Sequence, residues 1–236
     1  MQPKVQSEFF EPGSAVFAAW HLWNIAADAA KRAKDLKLAN PGVITADTIA
    51  AVVLAAMTTE AFVNELGYRL SALTRLTGVG NQHLQNWIDV GDLLEQLEHE
   101  RVQVKSKYLL VSKLLPGEAL RRDRKPYQDF AMLIDMRNDF VHAKAQTKPP
   151  QYFKQFVNRG WTYNVSGDEI KLQGWMFQLQ TPQVACWACQ SAHAIARNFV
   201  ERFDNITDPV IQVIIGNSLR LQWARTQDDD RIKWFP

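Results

Sequence analysis

Two cysteines in 236 residues are too few for a disulfide framework. Cys186 and Cys189 lie three apart on a predicted helix and would supply only half of the four ligands of a structural zinc site, so they read as plain buried thiols. Charge of one sign is scarce as well: a net charge of +2 does not mark the whole chain as a nucleic-acid binder, and any such surface has to be local. Long apolar runs are missing, since Ile49 to Met57 is the longest and a bilayer needs about 20 residues. Met1 to Gly13 lack the basic start and apolar stretch of a secretory signal. These absences predict a soluble, cytoplasmic chain with no membrane partner. No glycine-rich phosphate loop, internal repeat or low-complexity linker is found, and no acidic cluster has metal-ligand spacing, so neither a metal nor another cofactor is expected.

What is present is apolar periodicity. The chain is 47% hydrophobic and 22% charged, an ordinary globular balance for one large core. Ser14 can cap a helix to about Ala39, stopped by Asn40, Pro41 and Gly42. Thr45 opens a longer helix to about Leu76, apolar nearly all round in its first half, which predicts a central position. A third helical region from about Leu84 to Leu115 reads as broken, and Pro116 and Gly117 end it. Thr181 and Pro182 begin a helix to Phe203. The apolar run that follows Asp208 and Pro209 fits a helix or a strand equally.

Between these lies the stretch Phe130 to Lys144. Phe130, Leu133, Ile134, Met136 and Phe140 share one broad apolar side, the pattern of a buried helix. Asp135, Arg137, Asn138, Asp139 and His142 interrupt it, and polar groups on such a helix have to be paired or used. Asn138 and His142 are four apart and share a face; Arg137 and His142, five apart, point roughly 140° away from each other on an ideal helix. They meet only if the helix loosens near His142, if the arginine wraps around, or if a second copy supplies the missing group.

Local charge gathers just upstream. Arg101, Lys105, Lys107, Lys113, Arg121, Arg122, Arg124 and Lys125 stand against only Glu118 and Asp123. This window reads either as a solvated face or as a phosphate-contacting surface. Arg121, Arg122, Arg124 and Lys125 of this window, with Lys144 farther along, are the candidate phosphate contacts. Glu60, the one carboxylate in the most apolar part of its helix, is either exposed or reaches a cation such as Arg137.

Past His142 the helical period fails, and WTYNVSGDEIKLQGWMFQL alternates aromatic and polar residues about Ser166, Gly167 and Asp168. That predicts a small β-hairpin whose Trp161, Tyr163, Trp175 and Phe177 either stack on bases or pack onto the domain beneath. The expected organisation is therefore mainly α: a helical domain over 14–205, a hairpin inserted at about 150–180, and an extension over 206–236.

Helices around RNDFVH, from Arg137 to His142, resemble the HEPN family, the higher eukaryote and prokaryote nucleotide-binding domains. Their signature is an arginine, usually followed by a polar residue, with a histidine four to six positions on. The upstream TTEAFVNEL is similar to the early helix of several HEPN groups. The resemblance covers roughly Ser14 to Ala145, with the 181–203 helix in the same bundle. It implies a HEPN-like helical bundle and, in many members, a metal-independent endoribonuclease, with RNA as partner and a toxin, antiviral defence or stress role.

The residue types suit that reaction. Attack of a ribose 2′-hydroxyl on its phosphate needs a base, an acid for the leaving 5′-oxygen and a cation for the developing phosphoryl charge. His142 can be the base or the acid, Arg137 offers a fork of donors, and Asn138 can orient imidazole or substrate. Glu60 and Asp139 are candidate supports. One histidine per chain cannot serve as acid and base together, so the resemblance predicts a homodimer with a shared cleft, held in check by an inhibitory or regulatory protein or by a trigger. The competing expectations are a noncatalytic HEPN-like nucleotide- or protein-binding dimerisation module, and a structural bundle whose hairpin carries a docking surface.

Overall fold

The structure is a computed structural model and describes residues 18–40, 44–73, 84–142, 148–163, 169–204, 206, 208–211, 223 and 230–233, with the backbone alone for 169–173 and 204. Helices α1 (Ala19–Ala39) and α2 (Asp47–Ser71) form its first hairpin. Their contact is built on small side chains: Ala26, Ala27, Ala30 and Ala33 of α1 and Ala51, Ala55 and Ala56 of α2 are buried. The Thr45 hydroxyl accepts the Asp47 N–H at 3.1 Å, so the predicted helix start is physically capped.

Helix α2 is central. Besides α1 it packs against α3 (Gln85–His99), α4 (Val104–Leu114), α5 (Tyr127–Val141) and α8 (Pro182–Asp204). An 18-residue window of α2 reaches a mean hydropathy of 1.5, enough by length and composition for a membrane span, although its longest unbroken apolar run is short. Half of that apolar window is buried inside the fold, the pattern of a core helix.

Where α2 crosses α3, backbones come close enough to require glycine. A Cβ on Gly91 would stand 2.2 Å from the Ser71 nitrogen, and one on Gly67 would stand 2.7 Å from the Leu94 Cβ. The third helical region is broken as its sequence suggested, at residues 100–103 between α3 and α4.

The expected hairpin is corrected. Among the described residues there is no strand. Part of the predicted insertion is α6 (Phe153–Asn158), and the predicted second strand is α7 (Glu169–Gln178), a helical stretch broken at Gly174, where φ is 70°. The turn residues 164–168 lie outside the described residues. Aromatic burial decides this region. Trp175 is buried edge-on against Tyr152 and Phe153, at centroid separations of 6.0 and 6.2 Å, and Phe156 packs edge-on against Trp187 of α8 at 4.9 Å. Alternation along the chain therefore reflects a layer of rings packed onto the bundle, not a two-sided sheet.

Helix α8 starts as predicted, with the Thr181 hydroxyl accepting the Val184 N–H at 3.4 Å. Its Cys186 and Cys189 are buried, and burial pushes the Cys186 thiol up to about 11. The ambiguous apolar run opens as the short helix α9 (Pro209–Ile211), capped by Asp208, whose Oδ1 accepts the Val210 N–H at 2.8 Å. Farther on, the Gln190 amide and the Lys34 ammonium hold the carbonyls of Ile232 and Lys233.

Candidate functional site

Helix α5 begins a turn earlier than its apolar pattern suggested and ends at His142, which leaves helical geometry at φ −108° and ψ 44°. Its Phe130, Leu133 and Met136 are in the core, with the Phe130 ring 4.6 Å from that of Tyr108 on α4. This packing turns Arg137 and Asn138 toward an open groove of about 460 Å3. Its walls are Glu60 of α2, the turn from Glu98 to Lys105, and Ile134, Asp135, Arg137 and Asn138 of α5.

The charges of the groove divide into paired and unpaired groups. Lys105 Nζ lies 2.7 Å from Asp135. Lys107, only 1% exposed, sits beneath the groove and donates to Glu98 and, at 3.1 Å, to Asn64. A buried ammonium requires such partners, and through them it ties the end of α3 to α2. Arg137 differs: it donates to the Asn138 Oδ1 at 3.0 Å, and among the described residues no carboxylate pairs with it. Glu60 is exposed and lines the same groove without forming an ion pair to Arg137. Of the two alternatives for Glu60, exposure is therefore the one observed.

The other expected residues are distributed less compactly. His142 is exposed and does not line this groove; its backbone N–H donates to the Asn138 carbonyl at 2.9 Å. The helix does loosen at His142, but among the described residues no hydrogen bond joins its imidazole to Arg137, and of the two only Arg137 lines the groove. Asp139 faces away and accepts the Tyr152 hydroxyl at 2.8 Å. Burial first, and then that bond, raise the Tyr152 pKa. The result is a pin between α5 and α6 that occupies a carboxylate neighbouring Arg137.

Arg121, Arg122, Arg124 and Lys125 are exposed, but they precede the start of α5, and Tyr127 is ten residues, about 15 Å of helix, from Arg137. Arg121 pairs with Asp123 at 2.8 Å and Lys125 with Asp129 at 3.0 Å. The basic window is thus split by the fold: Arg101 and Lys105 reach the groove, whereas 121–125 lie at the opposite end of α5. Lys144 lies outside the described residues. Trp161 and Tyr163 are half-buried, and Lys37 Nζ lies 4.1 Å from the Tyr163 ring centroid.

Sequence reasoning counted Arg101 only as one charge in a window and missed its special position. Arg101 has φ 55°, the sole non-glycine positive φ among the described residues. Its N–H donates to the Glu98 carbonyl and the Val102 N–H to the Leu97 carbonyl, both at 2.9 Å, which is a Schellman ending for α3. Glycine is the usual occupant of that position, and no local sequence signal marks an arginine there. Among the described residues no group of three or more His, Cys, Asp or Glu side chains is arranged to hold a metal ion. No family model, no curated protein and no solved structure was found to match the chain.

Proposed function

We propose that the end of α5 is the catalytic centre of a metal-independent RNA endonuclease of the HEPN kind. The observation that carries this reading is the Arg137 guanidinium, steadied by Asn138 and open to a groove with no carboxylate partner among the described residues. A guanidinium left open offers a planar fork of donors that matches phosphate oxygens.

In this reading the ribose 2′-oxygen attacks the adjacent phosphorus, and the bond from phosphorus to the 5′-oxygen breaks. A base takes the 2′-hydroxyl proton, an acid protonates the departing 5′-oxygen, and the products are a 2′,3′-cyclic phosphate and a 5′-hydroxyl. Arg137 faces the charge that grows on the phosphoryl oxygens. Asn138 is a positioning residue, since its Oδ1 fixes the guanidinium. His142 is exposed beside Val141, which is 49% exposed, at the same helix end. A second copy of the chain meeting this end would bring its own His142 and provide separate acid and base.

The test is cleavage of mixed-sequence RNA in EDTA by the wild type and by His142→Ala and Arg137→Ala, with fold and oligomeric state verified and product ends mapped. Cyclic-phosphate products that vanish in both folded variants support the reading. Activity that EDTA abolishes, or that survives both substitutions, overturns it. One observation favours a noncatalytic binding module instead: Glu60, Glu98 and Asp135 share the groove, and His142 stands outside it. Absence of cleavage by a clean wild-type dimer across several RNAs selects that module.

A further inference from the structure

Once the internal pairs of the groove are set aside, its free groups form a pattern. Lys105 neutralises Asp135, and Lys107 neutralises Glu98. What remains is Arg101 and Arg137, neither paired with a carboxylate among the described residues, together with the exposed carboxylate of Glu60 and an apolar strip of Val102, Val104 and Ile134. Arg101 is held on this wall by an unfavourable backbone conformation that glycine would adopt freely. Conformational cost retained at a groove-lining residue points to use of its side chain.

We infer that the groove is a guanosine subsite for single-stranded RNA. Arg101 and Arg137 hold the phosphate, Glu60 accepts from the guanine base, and the base lies along Val102, Val104 and Ile134. The inference rests on the RNA-cleaving reading and adds base selection to it. The choice of base follows from donor chemistry. A carboxylate offers two acceptors side by side, and on the Watson–Crick edge guanine alone presents two adjacent donors, N1–H and the N2 amino group. Adenine and cytosine each set one amino donor beside a ring acceptor, and uracil flanks its N3–H with two carbonyls, so each leaves Glu60 facing a lone pair. A volume of about 460 Å3 falls within the range of about 300–1,000 Å3 typical of small-ligand sites.

The test uses the full chain and fluorescein-labelled 2′-O-methyl uridine heptamers carrying central guanine, adenine or cytosine; the methyl group blocks cleavage. Binding is followed by fluorescence anisotropy across a salt series. The guanine heptamer is expected to bind about tenfold more tightly than the others, as a good bidentate base contact allows. Glu60→Gln, at an exposed helix position, should remove that preference. Arg101→Gly should weaken all heptamers and reduce the slope of log K against log salt by about 0.7, the loss of one phosphate contact. Its melting temperature should hold or rise, which separates lost binding from lost fold.

Equal affinities for the three heptamers, a preference that survives Glu60→Gln, or an unchanged salt slope in Arg101→Gly each overturn the subsite while leaving RNA cleavage to its own assay. No binding of any heptamer at low salt overturns both.

Discussion

Arg202, near the end of α8, donates to the Ser112 carbonyl at 2.9 Å, to the Glu118 carbonyl and to Asn198 Oδ1 at 3.2 Å, and its guanidinium lies 5.1 Å from the Phe199 ring centroid. Arg137, near the end of α5, donates to Asn138 alone among the described residues and opens onto a groove. The first is 7% exposed and fastens α8 to the end of α4 and the segment after it; the second leaves most of its five donors unused. A buried cation that serves the fold has its donors consumed by the fold, so the difference separates an arginine spent on the fold from one whose donors stay open.

The sharpest way to break this comparison is to truncate Arg137. Under the proposed cleavage, Arg137→Ala removes the cation that faces the transition-state charge and is expected to lower RNA cleavage by about 100-fold or more. Because no carboxylate or backbone partner is orphaned, the stability change should stay within about 0.5 kcal/mol. Stopped-time cleavage paired with thermal melts checks both, and a large loss of melting temperature would move Arg137 into the class of Arg202. Truncating Arg202 should do the reverse. Arg202→Ala strands two backbone carbonyls and is expected to cost about 3 kcal/mol. For a chain of this size that is roughly 6–12 °C in Tm. Cleavage per folded molecule should not change.

Legibility from the chain alone followed the same division. Long helices repeat their apolar residues many times, so α1, α2, α5 and α8 were readable, as was the central place of α2. Thr45 and Thr181 marked their starts because a capping hydroxyl acts locally. The region around Trp161 and Trp175 was misread, because alternating rings look alike whether they face a strand partner or nest against Tyr152, Phe153 and Phe156. At the site, Arg137 and Asn138 were legible as polar interruptions of an apolar face. The separation of Arg101 from Arg121–Lys125 was not, because it depends on where α4 and α5 pack, which no spacing along the chain encodes.

A smaller effect sharpens the groove side. Arg101 in the left-handed region carries a cost of roughly 1–2 kcal/mol, partly offset in glycine by its greater unfolded-state freedom of about 0.5–1 kcal/mol. Arg101→Gly is therefore expected to gain up to about 1 kcal/mol of stability, measured by urea unfolding. A destabilised variant would mean that the arginine holds the turn, which would place it with Arg202.

The satisfied side has one group whose accounts do not close, and it yields the smallest effect. Glu65 is buried, and its Oε1 accepts the Ala19 N–H at 2.7 Å at the start of α1. Burial raises its pKa from 4.5 despite the opposing pull of the Ala19 N–H and the Arg69 charge. A carboxyl raised in the folded state binds its proton more tightly there than in the unfolded chain. The stability it contributes is complete below pH 4.5 and is lost as pH rises through the raised value. Glu65→Gln keeps an acceptor for Ala19 and removes the ionisation. Its melting temperature should match the wild type at low pH, pull ahead as pH rises through the folded-state pKa, and hold a constant lead above it. A lead independent of pH would show that Glu65 stays ionised, its charge compensated by Arg69 as fully as the charge of Lys107 is by Glu98.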